Sequence, residues 1–271
     1  MPELPEVETT CRGIAPHVTG RWITRLAVHD RRLRWPVATD LPGWALNQQI
    51  TGVRRRAKYI VIDLERGWLL AHLGMSGSMR VLPADTALIP HDHYDVVFDS
   101  GWTLRYNDPR RFGSLHHGQG DPALHPLLAK LAPEPLEPAF DAEYLYAATR
   151  GRRVAIKLAI MNSQLVVGVG NIYASEALFR AGIRPGRAAK SLTRAECAAL
   201  VKAIKAVLGM AINHGGTTLR DYVGAGGEPG YFKQKLFVYE RAGEPCRRCG
   251  ELVRHRNQGQ RSTYFCTTCQ S

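Results

Sequence analysis

Residues 132–138 read Ala-Pro-Glu-Pro-Leu-Glu-Pro. Prolines this dense hold the chain extended and cannot continue a helix, so the stretch reads as a stiff linker. The hydrophobic period differs on its two sides. Before it, Tyr59-Ile-Val-Ile-Asp-Leu64 and Trp68-Leu-Leu-Ala-His-Leu73 flank Glu65-Arg66-Gly67, a hairpin turn with glycine for positive φ. Tyr94–Asp99 and Trp102–Tyr106 make a second pair around Ser100-Gly101, and several such short strands indicate a sandwich. A helix is expected from about Pro5 through Arg12, ending near Gly13. After the linker the period is helical. Thr193 and Glu196 form a capping box, and Cys197, Leu200, Val201, Ile204, Val207, Leu208 and Ala211 trace one apolar face until Gly215-Gly216 stop it. Helices near Val154–Met161 and Ile172–Arg180 bracket a turn through Gly168-Val169-Gly170, a helix-turn-helix variant with an unusually long turn. Residues 223–232 read as a flexible loop. The expected class is α+β.

Four of the six cysteines stand as Cys246-Arg-Arg-Cys249 and Cys266-Thr-Thr-Cys269, the two-pair spacing of a tetrahedral zinc site. Two disulfides are the alternative, disfavoured in a chain without a secretory leader. Four thiolates close the shell and leave no place for a water, so the metal is expected to be structural. The pairs enclose a basic hairpin, Arg254 to Arg261. Cys11 and Cys197 are isolated and read as small buried apolar residues.

At 271 residues the chain has room for two domains with cores of their own. No run approaches the roughly 18 apolar residues of a membrane span, and no charged-then-apolar leader opens the sequence, so a cytoplasmic location is expected. Lys plus Arg less Asp plus Glu is 36 − 24 = +12, and residues 21–60 hold nine of those cations against only Asp30 and Asp40. Such a surplus suits a polyanion, because released counterions drive binding to phosphates. An anionic membrane is the competing partner, but the sequence has no basic amphipathic helix with a broad apolar face.

The first residues, Met1-Pro2-Glu3-Leu4-Pro5-Glu6-Val7-Glu8, carry distinct chemistry. A proline behind the initiator Met permits trimming, which leaves a secondary amine beside a carboxylate. Such an amine forms an iminium with a carbonyl-like carbon, and Glu3 is placed to move a proton. A helix start explains the same residues without chemistry. Val53-Arg-Arg-Arg-Ala-Lys58-Tyr59 puts four cations at the head of a strand, where alternation would give Arg54, Arg56 and Lys58 one face. Leu73-Gly-Met75-Ser-Gly-Ser78 and Asn107-Asp-Pro-Arg110-Arg-Phe112-Gly113 are tight turns offering an apolar wedge, an aromatic ring and an arginine, the parts needed to hold a base out of its stack. Gly168-Val-Gly170-Asn171 can dock a phosphate at a helix start. It lacks the pattern of a nucleotide or dinucleotide loop, so no nucleotide cofactor is expected.

Taken in order, these motifs resemble the bacterial formamidopyrimidine-DNA glycosylases from end to end. The match includes Arg55-Arg-Ala-Lys58-Tyr59, His72-Leu-Gly-Met75-Ser-Gly77, Val167-Gly-Val-Gly-Asn171-Ile-Tyr-Ala-Ser-Glu176 and the cysteine hairpin with Gln260-Arg261. The resemblance implies an N-terminal β-sandwich domain with flanking helices over 1–131, a linker over 132–140 and a helix-two-turns-helix domain over 141–222. A lesion-capping loop and connector over 223–240 and a zinc-finger β-hairpin over 241–271 follow. It further implies a monomer that binds damaged duplex DNA in the cleft between its domains, one structural Zn²⁺, and excision of oxidised purines in base excision repair. Carried over by position, Pro2 is the nucleophile and Glu3 the proton donor. Lys58 serves β-elimination, and Arg261 serves δ-elimination and a phosphate. Met75, Arg110 and Phe112 fill the hole left by the flipped base. His91, Arg152, Lys157 and Asn171 contact the DNA backbone, and a loop near 217–232 covers 8-oxoguanine. Arg152 stands where a lysine is common, and Leu158 and Asn162 where Pro and Asp are frequent. An endonuclease VIII-like enzyme for oxidised pyrimidines and a non-catalytic zinc-ribbon nucleic-acid binder are the alternatives.

Overall fold

The β-branched run at Tyr59–Leu64 and the apolar run after it pair as a hairpin, and the same logic repeats through the first half of the chain. The computed structural model describes residues 2–216 and 232–271. Two compact units emerge: Met1–Ala129 with His214–Tyr231, and Lys130–Asn213 with Phe232–Ser271.

The first unit opens on helix α1 (Leu4–Val18) and contains strands β1 (Ile23–Val28), β2 (Ile50–Arg56), β3 (Tyr59–Leu64), β4 (Gly67–His72), β5 (Ser78–Pro83), β6 (Asp92–Phe98), β7 (Trp102–Asn107) and β8 (Ser114–Gly118), with the short helix α2 (Leu41–Ala45) after β1. The strands form two four-stranded antiparallel sheets, ordered β1-β6-β7-β5 and β2-β3-β4-β8. Ile60, Ile62 and Leu69 of one sheet and Tyr94, Val96 and Leu104 of the other meet in one buried core, as alternation requires of a sandwich. Helix α1 runs five residues beyond Gly13, where the sequence expectation ended it. Val7, Cys11, Ile14 and Val18 keep one face buried in that core. Burying Ile14 and Val18 outweighs the ~1 kcal/mol cost of an interior glycine.

The second unit holds α3 (Ala142–Thr149), α4 (Ile156–Ile160), α5 (Asn171–Ala181), α6 (Arg194–Asn213) and the hairpin β9 (Arg254–Gln258) with β10 (Arg261–Phe265). Helix α6 starts as its capping box dictates: the Thr193 N–H donates to Glu196 at 2.8 Å and the Glu196 N–H to the Thr193 hydroxyl at 3.2 Å. Helix α4 is shorter than the expected Val154–Met161, because Ala155 is drawn into an antiparallel bridge with Ala188. The glycine-rich stretch 223–232 lies, but for Phe232, outside the described residues.

Candidate functional site

The N-terminal chemistry depends on how α1 begins. Pro2 is buried, and Glu3 caps the helix with extended backbone. Glu6 accepts the Glu3 N–H at 2.8 Å while the Glu3 carboxylate takes the Glu6 N–H. The two acids are 2% and 0% exposed, at the end of the helix whose dipole favours negative charge. Gly216 (φ +84) closes on this point, and a Cβ there would lie 3.2 Å from Glu6 Oε1. Burial, with Glu8 next, pushes the Cys11 thiol up to about 12, so it is an inert core residue.

The cationic row at 54–58 does not keep one face. Arg56 pairs with Tyr59, so Ala57-Lys58 is the hairpin turn, with Ala57 at φ +55, and Lys58 leaves the strand. Arg54 binds Asp63 through two hydrogen bonds of 2.7 and 3.0 Å, and Arg55 reaches Glu8 on α1 at 3.0 Å. His72 packs against Tyr59, their ring centroids 4.8 Å apart, and its Nδ1 accepts the Gly74 N–H at 3.0 Å. Burial, then the charges of Lys58 and Arg34, lower its pKa to about 4. The imidazole is therefore neutral, with its proton on Nε2.

Three turns of the first unit gather around Asp108. Met75 is half-buried in the turn closed by Gly77 N–H to Leu73 O, 2.9 Å. Arg110 and Phe112 are exposed in the next turn, the guanidinium 5.1 Å from the ring centroid. His91 is exposed with φ +74, and its carbonyl accepts the Asp108 N–H at 3.0 Å. Asp108 itself is buried and takes the Ser76 hydroxyl at 2.7 Å and the Gly113 N–H at 2.9 Å.

In the second unit Lys157 is 0% exposed. Its ammonium donates to Asn171 Oδ1 at 2.6 Å, Ser262 O at 2.8 Å and Thr263 Oγ1 at 2.8 Å. Asn171 at the head of α5 also donates to Ser262 O at 3.0 Å. The sequence expectation put both on a DNA backbone. In the structure Lys157 ties α4, α5 and β10 together, and Asn171 is the half-buried one of the two. Arg261 is exposed in the first pair beyond the Gly259-Gln260 turn, where φ values of +51 and +60 make a type I′ hairpin. Leu158, one of the departures from the family pattern, supports that tip: a Cβ on Gly259 would lie 3.0 Å from its Cδ1. Asn162 accepts the Gln164 N–H at 2.9 Å and so shapes the turn after α4. Arg152 is exposed, its Nε bonded to Ala148 O at 2.8 Å.

The thiols of Cys246, Cys249, Cys266 and Cys269 lie within 4.8 Å of one another. Cys246–Cys269 and Cys249–Cys266 measure 3.9 and 3.5 Å. A tetrahedron of ~2.3 Å Zn–S bonds has edges of about 3.8 Å, so the four sulfurs fit one zinc and leave it no open position. Sequence reasoning assigned no role to Glu176. Its buried carboxylate receives the N–H groups of Phe237, Val238 and Tyr239, each at 2.9 Å, and anchors the segment leading to the cysteine hairpin. The signal was an acid beside the apolar residues Ala177, Leu178 and Phe179 of α5.

A sandwich entered through a buried proline and its acid, together with a helical unit that ends in a thiolate-bound hairpin, defines the class of helix-two-turns-helix DNA glycosylases. Residues 1–115 match the model of the formamidopyrimidine-DNA glycosylase N-terminal domain, 131–223 that of the formamidopyrimidine-DNA glycosylase H2TH domain, and 243–271 that of a zinc finger found in FPG and IleRS. The chain belongs to the formamidopyrimidine-DNA glycosylase family, a DNA glycosylase of base excision repair with one structural zinc. It is 59% identical over 270 residues to the formamidopyrimidine-DNA glycosylase of Thioalkalivibrio sulfidiphilus, covering 100% of both chains. The crystal structure of the Fpg protein of Thermus thermophilus superposes with a TM-score of 0.89 at 39% identity, over 99% of this chain and 98% of that one. A Lactococcus lactis Fpg variant in complex with Fapy-dG-containing DNA gives 0.93 at 31% identity, over 100% of both. The zinc-ribbon binder and the endonuclease VIII-like alternatives give way to this family.

Proposed function

We propose that this enzyme excises oxidised purines, 8-oxoguanine and formamidopyrimidines, from damaged duplex DNA and then cuts the strand at the abasic site. The observation that carries the reading is the buried Pro2–Glu3 pair at the start of α1. With Met1 trimmed, the Pro2 nitrogen attacks C1′ of the damaged nucleoside; the bond from C1′ to the base breaks, and Glu3 supplies the proton that the departing base needs. The amine nitrogen then loses its proton and the C1′–O4′ bond breaks as O4′ takes up a proton, and the ring-opened iminium so formed draws electrons from the sugar. Loss of a C2′ proton expels the 3′ phosphate, with Lys58 serving that step, and loss of the C4′ proton expels the 5′ phosphate, with Arg261 beside it. Met75, Arg110 and Phe112 occupy the space of the everted nucleotide, and His91, Arg152 and Asn171 meet phosphates. Lys157 acts from behind, by holding Asn171 and β10 in place. The five-part division inferred from the sequence, with a lesion-capping loop over 223–240, distributes these tasks. The enzyme works as a cytoplasmic monomer at the nucleoid, and among the described residues no helix is long and apolar enough to cross a membrane.

Borohydride reduction during reaction with an 8-oxoguanine duplex tests the mechanism. One covalent protein–DNA species mapping to the first peptide is expected. A retained Met1 or an N-terminal tag turns the amine into an amide and should abolish trapping and cleavage together. Glu3→Gln should lose base excision by ~100-fold or more, the scale of general acid catalysis, yet still be trapped on a preformed abasic site. Efficient trapping by a protein with a blocked N-terminus would point to a lysine nucleophile instead.

A further inference from the structure

Asp108 has no part in the bond-making steps above, yet its carboxylate is 0% exposed and takes four donors. Oδ1 accepts the Ser76 hydroxyl at 2.7 Å and the Arg110 N–H at 3.2 Å. Oδ2 accepts the Gly113 N–H at 2.9 Å and the Tyr106 hydroxyl at 3.1 Å. Burial, with Asp108 second, raises the Tyr106 phenol well above its usual range, which keeps it a donor. Ser76 lies in the turn that carries Met75, Arg110 and Gly113 lie in the turn that carries Arg110 and Phe112, and Tyr106 belongs to β7. The turns touch directly where a Cβ at Gly74 would strike the Gly113 backbone, and both close on β7, where a Cβ at Gly77 or Gly113 would collide with the Tyr106 hydroxyl.

We propose that Asp108 is a positioning residue that locks residues 73–78 and 108–113 into one body, so that Met75, Arg110 and Phe112 enter the duplex in a single movement. This rests on the reading of those three side chains as the groups that replace the everted nucleotide. Two loops ordered separately would each lose conformational freedom on binding, whereas a preorganised pair has already lost it on folding. The polar atoms of the clamp are buried, so removing the carboxylate strands several donors at once.

The test compares Asp108→Ala, Asp108→Asn, Ser76→Ala, Arg110→Ala and the Asp108→Ala/Arg110→Ala double variant. Substrates are duplexes with 8-oxoguanine opposite cytosine or adenine, and a duplex with a preformed abasic site; thermal melting is recorded for each protein. Asp108→Ala should slow excision opposite cytosine by roughly tenfold and flatten the opposite-base preference, while abasic-site cutting changes by less than about threefold. Asp108→Asn keeps one acceptor oxygen and should restore most of the excision. The double variant should be no slower than Asp108→Ala alone, because the arginine is already misplaced. Should Asp108→Ala fail to fold, Ser76→Ala, which removes one donor, is expected to shift excision and preference in the same direction. Parallel loss of excision and abasic-site cutting would reduce Asp108 to a stability residue and overturn the proposal. So would an intact opposite-base preference in Asp108→Ala when Arg110→Ala has lost it. If Arg110→Ala itself keeps the preference, the DNA reading of the turns is wrong, a failure the single variants separate from that of the clamp.

Discussion

His72 illustrates how one side chain records its surroundings. Its ordinary pKa of 6.5 falls to about 4 in the fold, through burial first and then the charges of Lys58 and Arg34. Between those values the unfolded chain binds a proton that the folded chain refuses, so stability rises with pH across the window and is lost as pH falls through it. The shift corresponds to at most ~3 kcal/mol. His116 and His125, also held low by burial, act in the same direction. Urea midpoints should therefore drop between pH 7.5 and pH 5, and drop less in His72→Asn, whose side-chain oxygen stands in for Nδ1 toward Gly74. An equal drop in the variant would remove His72 from the account.

Among the elements, the β9–β10 hairpin depends most on something other than its own packing. It is two strands long, a size only marginally stable alone, and its base is gathered by the four cysteine thiols against Phe179 and Val238. Chelation of zinc, or Cys266→Ser, should cost at least tenfold in duplex affinity as Arg261 loses its support, while the unfolding transition of the first unit is retained. Unchanged affinity after zinc loss would sink this assignment. The cysteine spacing made this element plain in the sequence, as Thr193 and Glu196 did for the start of α6. Periodicity served less well where a backbone conformation intervened. Nothing local marks Ala57 as a residue at φ +55, so strand alternation was carried one turn too far and misplaced Lys58. The ties of Lys157 were hidden because its partners Asn171, Ser262 and Thr263 are distant in sequence. The donors on Asp108 and Glu176 were invisible for the same reason.

At the scale of the molecule, the surplus of +12 charges is the most general statement the sequence makes about its partner. Each phosphate contact that releases counterions adds about −0.9 to the slope of log K against log salt. Arg152→Ala should shallow that slope by about one contact and weaken all duplexes alike, whereas Arg110→Ala should leave it nearly unchanged and act on opposite-base preference. A shallower slope in Arg110→Ala with preference intact would reassign that arginine to a phosphate. The order of the chain adds a further consequence. The first unit is interrupted: it runs to Ala129 and takes up the chain again at His214, and Gly216 closes against Glu6. During synthesis on the ribosome Glu6 emerges first, yet Gly216, which closes against it, is made only after helices α3 to α6. A nascent or prematurely terminated chain thus lacks the Gly216 contact that completes the packing around Glu6 at the start of α1.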